Sequence, residues 1–224
     1  DVINAGSELK HSDDGIAGHF LFSQKPGQPT LLVGRVTGLE PGEHGFHIHQ
    51  YGDLSNGCES AGPHFNPDGV DHGDATEGHV GDLGNITADE NGVAEINMIL
   101  RRVDLSGDRS VVGRAIVVHA DEDDLGQGGD EESLKTGNAG DRVGCGVIRL
   151  SESLDEIFAY GLDLPANQYG QPDYSKPMEF IGSLVKSGLD RIAVLKHIRD
   201  KYEISARSAR GLYDLWQRTE GAFV

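Results

Sequence analysis

Cysteine is scarce: Cys58 and Cys145 are the only two in 224 residues. They admit two readings, a pair of reduced core thiols or one disulfide closing a loop of more than eighty residues. Cys58 lies in a polar Gly/Ser/Asn stretch, a poor setting for a buried structural thiol. No CxC or CxxC pair occurs. Long apolar runs are lacking too, and nothing approaches the ~20 consecutive apolar residues that a membrane-spanning helix needs. Basic residues are outnumbered, 19 against 37 acidic, and the formal charge of -18 argues against the clustered Lys/Arg surface that nucleic acid or an anionic membrane requires. The expectation is a soluble chain with no nucleic-acid and no membrane partner. No signal-peptide pattern opens it, and its first residue is Asp1, which raises the expectation that a targeting segment has been removed.

Glycine, by contrast, is abundant, at 32 residues. Through residue 150 the chain reads as short strands with turn punctuation. Phe20 and Phe22 alternate in GHFLFSQ, Thr30 to Val36 follows a Pro/Gly turn, and Val93 to Leu100 follows DENG. Gly45 to His49, Gly113 to His119 and Val143 to Leu150 complete the set. Strands at this spacing predict an antiparallel sandwich or barrel. Two stretches interrupt the rhythm, Gly52 to Gly84 and Ala120 to Arg142, both long, polar and rich in Gly and Asp. Loops of more than ~15 structureless residues are uncommon in compact domains unless function pins them. Beyond Leu150 glycine thins out and helical spacing appears. Helices are expected from Ser175 to the Gly188 stop, over Asp190 to Tyr202, and over Ala206 to Gln217. The organisation expected is therefore residues 1–150, a linker over 151–174, and a helical extension over 175–224.

Histidines fall where the loops need an anchor. In GFHIHQYGD, His47 and His49 are two apart on a strand and so share one face. Taken alone, the pair fits metal ligation or one buried and one solvated imidazole equally. The first long loop adds His64, His72, His79 and Asp82, three imidazoles and a carboxylate that suit a tetrahedral zinc site and would order the loop. His119 ends the strand GRAIVVHA and, in an antiparallel sandwich, comes near His47 and His49. With one loop histidine added, four nitrogens favour copper. If His64 used both ring nitrogens, it would serve both metals.

GFHIHQYGD, GCESAGPHFNP, HVGDLGN, VVHADEDDLGQGG and GNAGDRVGCGVI resemble, in order and across nearly all of residues 1–150, the copper/zinc superoxide dismutase family. The resemblance implies a mainly β protein, an eight-stranded antiparallel Greek-key β-barrel or immunoglobulin-like sandwich, here followed by a small α-helical C-terminal region. It implies copper held by His47, His49, His64 and His119, zinc held by His64, His72, His79 and Asp82, and His64 as the catalytic bridging histidine. Cys58 and Cys145 would form the family's intrasubunit disulfide. Asp123 would hydrogen-bond ligands of both metals. Glu131, Glu132, Lys135 and Thr136 would shape the electrostatic approach, and catalytic Arg142 would dock the anion beside copper. The implied activity is disproportionation of superoxide to oxygen and hydrogen peroxide by Cu(II)/Cu(I) cycling around a structural zinc.

The resemblance also implies a homodimer and supply by a copper chaperone, but Arg149 and a helical tail stand where the family commonly buries a small apolar ending between subunits. Asp121 occupies a place where a steering lysine is frequent, and the His72–His79 spacing is shorter than in familiar eukaryotic members. The alternative reading, a copper chaperone or partner-binding protein with a dismutase-like domain, meets a full ligand set and no transfer thiols. A disulfide and no spare cysteine point to an extracellular or periplasmic location, with the cytoplasm as the alternative.

Overall fold

The computed structural model describes residues 2–151, 175–204 and 206–219. The chain runs through β1 (Ile3–Glu8), β2 (His11–Ser12), β3 (Ala17–Gln24), β4 (Thr30–Thr37), β5 (Gly42–His49) and β6 (Ser55–Cys58). A 3-10 turn (Glu59–Ala61), β7 (Asp82–Ala88), β8 (Ala94–Leu100) and β9 (Ala115–His119) follow. Then come α1 (Ser133–Thr136), β10 (Arg142–Val147), β11 (Arg149–Ser151), α2 (Ser175–Lys186), α3 (Arg191–Tyr202) and α4 (Ala206–Thr219).

Ten strands form one antiparallel sheet in the order β11-β1-β3-β4-β8-β7-β5-β9-β10-β2. The N-terminal segment joins its two ends. Its first half pairs with β3, while Lys10 and Asp13 donate backbone N–H groups to Cys145 and Val143 on β10. Taking β1 and β2 as that one segment, and setting aside three-residue β11, leaves the eight strands expected of the barrel. The neighbour of β4 is β8, not β5, so the chain crosses the barrel end between Thr37 and Gly42 in Greek-key fashion.

Alternation along the strands fills the interior. Phe46 and Ile48 from β5, Ile116 and Val118 from β9, and Phe20, Phe22, Leu32 and Ile96 are buried together. Period two then turns His47, His49 and His119 to the outer face. These histidines are nonetheless buried, because the long loops fold over that face. A smaller apolar cluster of Ala61, Ala115, Val117 and Cys145 lies beneath the first loop.

The helical expectations match closely, with each observed helix within a few residues of the sequence signals. Asp190 caps α3, its side chain accepting from Ala193 N–H at 2.8 Å. Met178, Ile181, Val194, Ile198, Ala209 and Leu212 form a common core, against which Leu21 of β3 also packs. Among the described residues no helix is long and apolar enough to cross a membrane. The expected linker lies, beyond Ser151, outside the described residues.

Candidate metal centre

Strand register delivers the first candidate residues. His47 faces Val117 across the β5–β9 ladder and Asp82 across the irregular β5–β7 pairing, and His119 stands opposite Arg142. His64 enters from the first loop through an isolated antiparallel bridge to His49. Two groups of donor atoms result, each within 4.8 Å of one another: His47, His49, His64 and His119, and His47, His64, His72 and Asp82. His79 lies at the edge of the second group, its Nδ1 3.2 Å from His64 Nδ1 and 3.3 Å from Asp82 Oδ1. His64 Nδ1 and His72 Nδ1 each approach the same carboxylate to 2.9 Å, at Oδ1 and Oδ2. The structure thus brings together every histidine and the aspartate that the sequence singled out.

Hydrogen bonds select the free nitrogen of most rings. His47 Nε2 donates to Asp123 Oδ2 at 2.6 Å, and His72 Nε2 donates to Asp123 Oδ1 at 2.7 Å. His49 Nδ1 donates to the Gly62 carbonyl at 2.7 Å, and His119 Nδ1 to the Gly140 carbonyl at 3.1 Å. What remains are His47 Nδ1, His72 Nδ1, and the Nε2 atoms of His49 and His119, all on the inner side of the cluster. His47 Nδ1 and His64 Nε2 are buried with no hydrogen-bond partner, and His72 Nδ1 meets only the Asp82 carboxylate. Orphaned buried nitrogens are costly, and a metal ion is the group that satisfies several converging imidazoles at once. The donor set therefore fits metal ions.

Titration behaviour follows the same geometry. Burial, reinforced by neighbouring His64, pushes His47 down to about 3. Burial lowers His119 to about 4, with His64 and Arg142 adding to the shift, and His49 lies well below its ordinary value for the same reasons. Burial alone would lower His72 as well, but hydrogen bonds to Asp123 and Asp82 raise it to about 9. Burial would raise Asp82 and Asp123, yet the imidazoles around them hold both carboxyls far below the usual carboxylate range.

A family model described as copper/zinc superoxide dismutase (SODC) matches residues 16–148, more than half of the 224-residue chain. The chain belongs to the copper/zinc superoxide dismutase family.

The dismutase-family loops are fastened to one another and to the barrel. Cys58 and Cys145 form a disulfide that ties the first loop to β10. His72 N–H donates to the Leu134 carbonyl, joining the first loop to the second. A surface cleft opens onto His49, His64 and His119 and is lined also by Lys135, Thr136 and Arg142. Half-buried Arg142 donates to the Cys58 carbonyl at 2.9 Å, which fixes its guanidinium beside the disulfide. Lys135 is paired with Glu131 at 2.6 Å, and Thr136 Oγ1 donates to Glu132 Oε1 at 3.0 Å, so these four residues form one exposed rim.

Several contributors escaped the sequence analysis. Asn85 brackets Asp123, its Nδ2 donating to the Asp123 carbonyl and its Oδ1 accepting from the Asp123 N–H. Gly137, at φ 70°, leaves bare backbone where a Cβ would strike the Asp123 carboxylate and His72. His44 is not among them: the resemblance marks it as a hydrogen-bonded structural histidine, and it meets the carbonyls of His119 and Glu40 through its two ring nitrogens, both at 2.8 Å. Asn85 and Gly137 sit inside motifs that drew notice for other residues. Nothing in their type or spacing marks a role.

Proposed function

We propose that the protein is a superoxide dismutase that disproportionates superoxide to oxygen and hydrogen peroxide. Copper would be held by His47, His49, His64 and His119, and zinc by His64, His72, His79 and Asp82. The observation that carries this reading is the position of His64. His64 belongs to both groups of donor residues; its Nδ1 lies 2.9 Å from Asp82 Oδ1, and its other ring nitrogen, Nε2, is buried without a hydrogen-bond partner. One imidazole thus offers a nitrogen to each group.

Bound copper supplies one-electron Cu(II)/Cu(I) cycling, and bound zinc, which has no redox chemistry, supplies charge and order. The remaining work belongs to the chain. Two superoxide anions and two protons give one oxygen and one hydrogen peroxide. Arg142, held by the Cys58 carbonyl, docks the anion at the floor of the cleft. His64 Nε2 holds a proton and delivers it toward peroxide, while Asp82 keeps the other side of the ring oriented. Asp123 fixes the tautomers of His47 and His72. Lys135 and Arg142 focus the field locally in an otherwise acidic molecule.

The chaperone alternative needs a thiol for copper transfer. Both cysteines of the chain are consumed in the Cys58–Cys145 disulfide. That disulfide also supports an oxidising location, extracellular or periplasmic. A homodimer and copper delivery by a separate chaperone complete the reading. Stopped-flow decay of superoxide with copper- and zinc-loaded protein tests it. Catalytic decay that His64→Ala abolishes is expected, and decay at the buffer rate with both metals bound would refute it.

A further inference from the structure

The peptide unit between Gly78 and His79 is held at both ends. Its carbonyl accepts from Arg102 Nη1 at 2.7 Å, and its N–H donates to Asp82 Oδ2 at 2.7 Å. The same Asp82 oxygen also accepts from Gly73 N–H at 3.2 Å, and a Cβ on Gly78 would collide with it. A guanidinium pulling on a carbonyl polarises the amide, so the N–H at the opposite end becomes a stronger donor.

Arg102 has a second grip on the same loop. Its Nη2 lies 3.4 Å from Asp68 Oδ2, and Arg109 clamps that carboxylate in a fork, at 2.5 and 2.9 Å. Both arginines come from the connection between β8 and β9, whereas Asp68 and Gly78 lie on either side of His72 in the first loop. The exposed Arg109–Asp68 pair alone contributes little. The part-buried bond to Gly78, one peptide from His79, acts on the ligands directly.

We propose that Arg102 is a positioning residue for the zinc group, orienting His79 and strengthening the hydrogen bond to Asp82 through the Gly78–His79 peptide. This rests on the reading of His64, His72, His79 and Asp82 as the zinc ligands. Arg102 suits the task because its fork reaches a carbonyl and a carboxylate together, whereas a lysine offers a single point charge.

The test compares zinc and copper affinities of the full chain, wild type against R102A and R102K, by competition with a chromophoric chelator. The visible spectrum of protein carrying cobalt in the zinc position is recorded alongside. R102A should weaken zinc by about tenfold or more, leave copper within about twofold, and alter the cobalt spectrum, because supports of this kind typically carry 10- to 100-fold in metal affinity. R102K, which retains the charge and one donor, should recover part of both effects. R102Q carries the R102A expectation if R102A does not fold. Wild-type zinc affinity and cobalt spectrum in the charge-removing variant would overturn the proposal, as would equal weakening of both metals. Wild-type protein that takes up no zinc would instead bring down the zinc assignment on which it rests.

Discussion

His49 and His119 meet Nε2 to Nε2 across 3.3 Å, each with its Nδ1 proton committed to a backbone carbonyl. Two lone pairs are therefore aimed at one another between buried rings. A cation relieves that opposition, and His47 Nδ1 and His64 Nε2 stand ready beside it. The fold thus constructs an electron-rich pocket on the outside of a barrel and lets two loops roof it.

Asp123 is the support shared by both groups, through His47 and His72. Asp123→Ala should therefore weaken both metals by about 10- to 100-fold while the barrel core stays intact. Equilibrium dialysis at several metal concentrations checks this. Unaltered affinity for both would show that the tautomers are set elsewhere.

Zinc uptake should cost a proton at His72, whose value is raised from 6.5 to about 9 in the metal-free protein. Ligation requires the neutral ring, so zinc affinity should climb by roughly tenfold per pH unit from about pH 7 to about 9. His47 and His119, lowered to about 3 and about 4, are neutral already and add no such slope to copper uptake. The sign for stability is also fixed. The raised His72 contribution is fully present below 6.5 and is lost as pH rises through about 9. Calorimetry in buffers of different ionisation enthalpy measures the released proton, and no release near pH 8 would contradict the assignment.

Arg142→Glu should reduce turnover far more than metal content, because on the proposed function it reverses the charge at the docking position for superoxide. Unit charges ~4 Å apart interact by about 4 kcal/mol at an effective dielectric of about 20, so a loss well beyond tenfold is expected. The dependence on ionic strength should weaken as well. Kinetics equal to wild type at low salt would remove Arg142 from the docking role.

The helical extension should be dispensable for chemistry. Its core is completed by barrel residue Leu21, and Arg35 of β4 approaches the Gln217 carbonyl at 3.5 Å, both away from the metal groups. Deleting residues 152–224 should keep turnover per bound copper and change thermal stability or assembly, as light scattering and melting would report. A truncated protein replete in copper yet inactive would place the extension in the active site.

Much of this was legible in the sequence because its signals are local. Alternation put His47 and His49 together on one face, and amphipathic spacing located α2, α3 and α4. The loop residues His64, His72, His79 and Asp82 stood out by residue type. What lay hidden depends on contacts distant in sequence. Asn85 reaches Asp123 across 38 positions and Arg102 reaches Gly78 across 24, and neither residue type is unusual on a polar surface. The first strand, within NAGSELK, is polar and glycine-bearing, yet β1 is flanked on both sides, by β3 and β11. Its partners, not its own composition, secure it.

The most direct test of dismutase activity is the order of superoxide decay, followed by stopped-flow absorbance on protein loaded with one copper and one zinc per chain. Decay should become first order in superoxide, with a rate proportional to copper-loaded protein and approaching the diffusional range of about 10⁸ to 10⁹ M⁻¹s⁻¹. Decay that stays second order in superoxide and indifferent to the loaded protein would contradict it.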